Sequence, residues 1–147
     1  MKRLASILAS CLIGPLVWAQ VSLDEIAARR NDNRIKAEFS CKYTASEAAL
    51  SYNGTVLAQG ICFKADINGV ETYCDGKRLV ILDKENKEAY IQNATGLEDF
   101  MKANVRKVSE LQFSELRFLD LSDDLSAFTF DTSKLGKDWV VTDLRTE

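Results

Sequence analysis

Residues 61–82 read ICFKADINGVETYCDGKRLVIL. Two dipeptides punctuate this stretch, Asn68-Gly69 and Asp75-Gly76. Both suit the two-residue turns that join antiparallel strands, because Gly, Asn and Asp tolerate the positive φ such turns require. A turn at Asn68-Gly69 sets Ile67 opposite Val70, Ala65 opposite Thr72 and Phe63 opposite Cys74. A two-residue turn at Asp75-Gly76 sets Cys74 opposite Lys77, Thr72 opposite Leu79 and Val70 opposite Ile81. The two turns, chosen separately, gather Phe63, Ala65, Ile67, Val70, Thr72, Cys74, Leu79 and Ile81 on one face. Cys62, Lys64, Asp66, Glu71, Tyr73, Arg78, Val80 and Leu82 fall on the other. A one-residue slip would scramble both sets, so their agreement supports the register.

Upstream, Ile35, Ala37, Phe39, Cys41 and Tyr43 alternate with polar partners, the period of a half-buried strand. Asn53-Gly54 reads as a third hairpin turn. In strict register it would oppose apolar residues to the polar side of the first strand, and a one-residue bulge at Gly60 repairs this. Phe63 then meets Tyr43, Ala65 meets Cys41 and Ile67 meets Phe39. Because bulges bend sheets, strong curvature is expected. Downstream, Lys87 to Gln92 reads as a strand with Ala89 and Ile91 on the apolar face. Residues 125–131 and 139–144 also read as strands. Ser22-Leu23-Asp24-Glu25 is a capping box opening a helix over about residues 22–31, with Leu23, Ile26 and Ala27 on one face. Thr95 caps a second helix through Leu97, Phe100, Met101 and Val105. The expected fold class is α+β: a strongly curved antiparallel sheet, an incomplete barrel, with helices covering one face.

The amino terminus carries Met1-Lys2-Arg3, an apolar run from Leu4 to Trp18, and Val17-Trp18-Ala19 before Gln20. This is the pattern of a cleavable signal peptide over residues 1–19, and the apolar run is short for a membrane span. Leu8-Ala9-Ser10-Cys11 also matches a lipobox, but would leave only ten residues ahead of the cysteine. Cleavage after residue 19 of 147 leaves 128 residues forming one domain, residues 20–147, with a periplasmic destination. Losing Lys2 and Arg3 from 19 basic residues leaves 17 against 22 acidic ones, a net charge of −5. No basic patch exists to neutralise phosphates, so a nucleic-acid partner is excluded.

The chain has no histidine. Ser-His and Cys-His nucleophile pairs and the commonest zinc ligand are therefore absent. With no carboxylate pair on the apolar face, hydrolysis by paired acids is disfavoured, and the expectation is a non-enzyme with no metal and no cofactor. Asp120, Asp123 and Asp124 lack EF-hand spacing and read as a solvated loop. Asn53-Gly54-Thr55 and Asn93-Ala94-Thr95 fit the glycosylation pattern, but the first reads as a tight hairpin turn and a bacterial source would make both silent. Cys41, Cys62 and Cys74 remain after cleavage. Cys41 and Cys74 share a face two strands apart, about 10 Å, and Cys62 points away. No internal disulfide is expected, which leaves Cys62 available for an intermolecular bridge.

The segments IKAEFS (35–40), YNGTVLAQGICFKAD (52–66), YCDGKRLVILDKENKEAYI (73–91) and FTFD…WVVTDLR (128–145), behind a signal peptide and helix, resemble the LolA-type outer-membrane lipoprotein carriers. The resemblance implies an incomplete barrel whose apolar cavity takes lipoprotein acyl chains or another lipid across the periplasm as a carrier or chaperone. It implies acyl chains and envelope membrane receptors as partners, and a monomer. The position nearest the family's lid-holding arginine is Arg34. Phe39, Phe63, Leu79, Ile81, Ile91, Phe100 and Met101 are the residues expected to line the cavity. The competing reading is a non-catalytic envelope interaction module with the same fold and a closed core, using an exposed face around Tyr73 and Tyr90.

Overall fold

In a computed structural model of the chain, residues 23–45, 48–97 and 108–145 are described. Residues 1–19, expected as a signal peptide, and Phe100 and Met101 lie outside them. Eight strands form one sheet: β1 (Arg34–Ala45), β2 (Ala48–Gln59), β3 (Cys62–Ile67), β4 (Val70–Cys74), β5 (Arg78–Asp83), β6 (Glu88–Asn93), β7 (Val108–Leu119) and β8 (Val140–Asp143). Their order is β7-β1-β2-β3-β4-β5-β6-β8. All neighbours are antiparallel except β6 and β8, which run parallel, so the sheet is mixed.

The sheet has two separate edges and is neither closed nor strongly curled, which overturns the incomplete barrel. The α+β assignment fails with it. The α-helix described in full is α1 (Leu23–Arg29), seven residues long, and the fold is mostly β. A helix this short is not stable alone. It is held by Ile26, which is buried against the sheet, and by Arg29, whose guanidinium lies 3.7 Å from the Phe118 ring centroid. Only the first residues of the expected second helix, up to Leu97, are described.

The curvature expectation failed because its premise did. Asn53-Gly54 is no turn. It lies inside β2, with Gly54 paired to Phe39 on one side and Ile67 on the other. Instead β1 and β2 pair antiparallel along their length, from Ala45 opposite Ala48 to Ile35 opposite Ala58, and β2 turns into β3 at Gly60-Ile61, so Gly60, with φ +60°, is part of the β2–β3 turn and no bulge. Thus β3 pairs β2, and Phe63 meets Ala58 where Tyr43 was expected. The Asn68-Gly69 hairpin has the expected pairs. The next turn is two residues longer than expected, and Cys74 pairs with Leu79. Asp75 stabilises that longer turn by accepting from the backbone amides of Lys77 (2.9 Å) and Arg78 (2.8 Å). A shift of two residues preserves facing, so the two face sets of β3–β5 stand.

The first face carries the larger core, including Ile35, Ala37, Phe39, Phe63, Ala65, Ile67, Leu79 and Ile81, with Leu111 from β7. Tyr90 joins it from β6. The second face carries Tyr73, Val80, Leu82 and Ala89, covered by Phe130, Leu135 and Trp139 of the C-terminal segment. Residues 125–131, expected as a strand, instead include a 3-10 turn (Ser126–Phe128) with Phe128 fully buried. Arg34 fastens this segment. Its Nε donates to Gln59 Oε1 (3.0 Å), its guanidinium donates to the Asp124 carbonyl (2.8 Å), and it stacks 5.0 Å from the Phe128 ring centroid.

Candidate apolar ligand site

At one end of the first face lies a cavity of about 260 Å³. Its floor is a single register row across four strands: Ile35, Ala58, Phe63 and Cys74. Ala58 and Cys74 are small, so the row steps down on both sides of the Phe63 ring and leaves space that side chains elsewhere on this face fill. Ile26 and Arg30 border the cavity from α1 and the residue after it, and Ala94, Gly96 and Leu97 border it from the segment after β6. The rim is formed by Gly60, Ile61 and Gly76.

Backbone hydrogen bonds tie both bordering segments to turns. Gly60 N–H donates to the Arg30 carbonyl (2.8 Å), and Ala94 N–H donates to the Lys77 carbonyl (2.9 Å). Ile61 is 68% exposed although it borders an apolar space, which marks the rim beside it as the open side. It lies over Gly76, where a Cβ would stand 2.6 Å from Ile61 Cδ1. Gly76 has φ +91°, so its backbone favours glycine, while the exposed Ile61 side chain could swing aside from an added Cβ.

Two thiols border the cavity, and neither is set up as a nucleophile. Burial pushes the Cys74 thiol up to about 11, with the Gly76 backbone opposing only in part. Its Sγ donates weakly to the Ile61 carbonyl at 3.8 Å. Burial and the Asp75 charge also raise Cys62, against a smaller opposing effect of Arg34. A reactive cysteine needs the opposite environment, one that stabilises thiolate. Among the described lining residues Arg30 is the sole charged side chain, and among the described residues no His/Cys/Asp/Glu group could hold a metal ion. Apart from Arg30, the described side chains that line the site are uncharged and mostly apolar.

Of the seven residues expected to line a cavity, the five that are described are dispersed. Phe63 does line it. Phe39, Leu79 and Ile81 are buried in the same core but away from the space. Ile91 lies on the second face, because Leu82 pairs with Ala89 and Val80 with Ile91; Tyr90 takes the first-face position. Ala89 is displaced likewise. Tyr73 and Tyr90 therefore share no face, and Tyr73 is buried against Phe130 with ring centroids 5.2 Å apart. Arg34 holds the C-terminal segment on the second face and borders no part of the cavity. Cys41 and Cys74 stand three strands apart where two were expected. The signal missed was the coincidence of small residues with three positive-φ glycines, Gly60, Gly76 and Gly96, at one end of the sheet.

No described helix is long and apolar enough to cross a membrane. No protein-family model matches the chain, and no curated protein matches it in sequence.

Proposed function

We propose that this is a non-catalytic envelope protein that holds an acyl chain in the cavity over Phe63, acting in the periplasm as a lipid carrier or chaperone. The observation that carries this reading is an apolar space with an open side, lined by core residues of four strands and bordered by α1 and the Ala94–Leu97 segment. The cavity exceeds the roughly 150 Å³ apolar voids that bind benzene. It therefore has room for an alkyl segment. The resemblance to LolA-type carriers supports the ligand class, and the leader-like residues 1–19 support the compartment.

The test is titration of the folded protein with a dansyl-labelled fatty acid, followed by fluorescence and native mass spectrometry. Saturable one-to-one uptake, displaced by unlabelled fatty acid, is expected. A folded monomer that takes up no fatty acid would refute the proposal.

A further inference from the structure

We infer that the site recognises one unbranched alkyl chain and encloses only about nine of its carbons. This rests on the acyl-binding reading above and adds a ligand class: single-chain amphiphiles, with multi-chain lipids excluded. The volume decides the number. A cavity of roughly 150 Å³ binds the six carbons of benzene, so in proportion a cavity of about 260 Å³ accepts about nine or ten. Ligand pockets ordinarily span roughly 300–1,000 Å³, which places this one at the single-chain end.

The walls prevent easy enlargement. The floor residues Ile35, Ala58, Phe63 and Cys74 belong to the buried core, paired through four adjacent strands. Among the described borders, a second chain would have to separate that row, displace the Ala94–Leu97 segment, or lift α1 from the sheet and so expose Ile26, which is 2% accessible. Methylenes beyond the ninth pass the rim beside Ile61 and stay in water, where they add nothing. The polar head of the amphiphile remains outside for the same reason.

The experiment is a series of straight-chain carboxylates from hexanoate to hexadecanoate, each kept below its micellar concentration, displacing the dansyl probe from the full-length folded protein. Burial contributes about 0.8 kcal/mol per methylene, which is about fourfold in affinity. Affinity should rise about fourfold per carbon and then level off near nine enclosed carbons. Ala58→Leu adds three carbons to the floor and should move the break about three carbons earlier. Ala94→Leu fills the same space from the opposite side and should do likewise, should the core variant fail to fold. Affinity that climbs undiminished to hexadecanoate, a break that neither folded variant moves, or extraction of a two-chain phospholipid from vesicles would each overturn the inference while leaving acyl binding standing. Absence of binding at every length would overturn both.

Discussion

Gly54 offers a sharp test of the register. It lies within β2 opposite Phe39 and Ile67, and its φ is outside the left-handed region. Alanine is thus acceptable to the backbone and unacceptable to the neighbours. An added Cβ would stand 2.7 Å from the Asp66 carbonyl oxygen, 2.9 Å from Ile67 Cγ1 and 3.0 Å from Phe39 Cζ. The first of these is backbone in the adjacent strand and cannot step aside without disturbing the ladder. Overpacking of this kind costs about 1–3 kcal/mol. Replacing glycine in a strand returns about 0.5–1 kcal/mol. The net expectation for Gly54→Ala is a loss of about 1–2 kcal/mol, or roughly 4–8 °C in Tm for a domain of this size. Urea and thermal unfolding followed by circular dichroism would measure it. Phe39→Leu removes one of the three contacts, so the double variant should recover at least about 0.5 kcal/mol relative to additivity. A glycine in a hairpin turn would show no such coupling. Stabilisation by Gly54→Ala, or strict additivity with Phe39→Leu, would refute the placement of Gly54 inside the strand.

Arg34→Ala should lower stability by about 2–3 kcal/mol, from a cation–π contact of about 0.5–1 and two hydrogen bonds of about 1 each, and should speed hydrogen exchange over residues 120–130; unchanged exchange there would argue that Arg34 does not fasten the segment. Tyr73 is raised to about 12, first by burial and then by its hydrogen bond to Glu71. Because its folded value lies above the unfolded one of about 10, its contribution is complete below pH 10 and is lost as pH rises toward 12. Tyr73→Phe should therefore flatten the alkaline limb of a Tm-versus-pH curve, leaving a residue from Tyr90, which Glu88 also raises; an unaltered limb would contradict the assignment. The Cys74 thiol, held at about 11, should react with iodoacetamide at pH 8 far more slowly in the native protein than in urea, read by mass spectrometry of the labelled peptides, and equal rates would contradict its burial.

Legibility in the sequence varied with how many physical constraints acted on each segment. The β3–β4 hairpin could be read because a turn glycine and a one-sided apolar pattern agreed. The placement of β6 could not, because β5 is apolar at four consecutive positions, Leu79 to Leu82, and all four are buried. Such a strand accepts a neighbour in either facing, and the four-residue turn at Lys84–Lys87 sets the outcome. Asn53-Gly54 misled because a dipeptide suited to turns is also suited to a strand position over which an aromatic ring must fit. The edge strand β7 was missed. Its alternation is broken by register shifts against β1 at Glu38/Phe39 and Ser40/Lys42, and Glu110 has φ +52°. Such irregularities blunt an exposed edge and also hide the period-two pattern from view. The cavity was misplaced for another reason: apolar periodicity finds the core, whereas a cavity forms where the core residues are too small to meet.

The two-sided burial of the sheet bears on the size of the ligand. Here Tyr73, Val80, Leu82 and Ala89 make the second face apolar, and Phe130, Leu135 and Trp139 occupy it. Curling β3–β6 tightly around a ligand on the first face would splay the second-face side chains away from this cover and admit water to them. Burial of each large apolar side chain contributes about 1.5–3 kcal/mol, so the cover opposes such curling by several kcal/mol. An open sheet therefore leaves ligand space only where its own first-face core ends, over the small residues of the Ile35–Ala58–Phe63–Cys74 row. Removing part of the cover should relax the restriction: Trp139→Ala, made at a half-buried position, should extend the chain-length break beyond nine carbons, whereas a break unmoved by this change would mean that α1 and the Ala94–Leu97 segment alone limit the site.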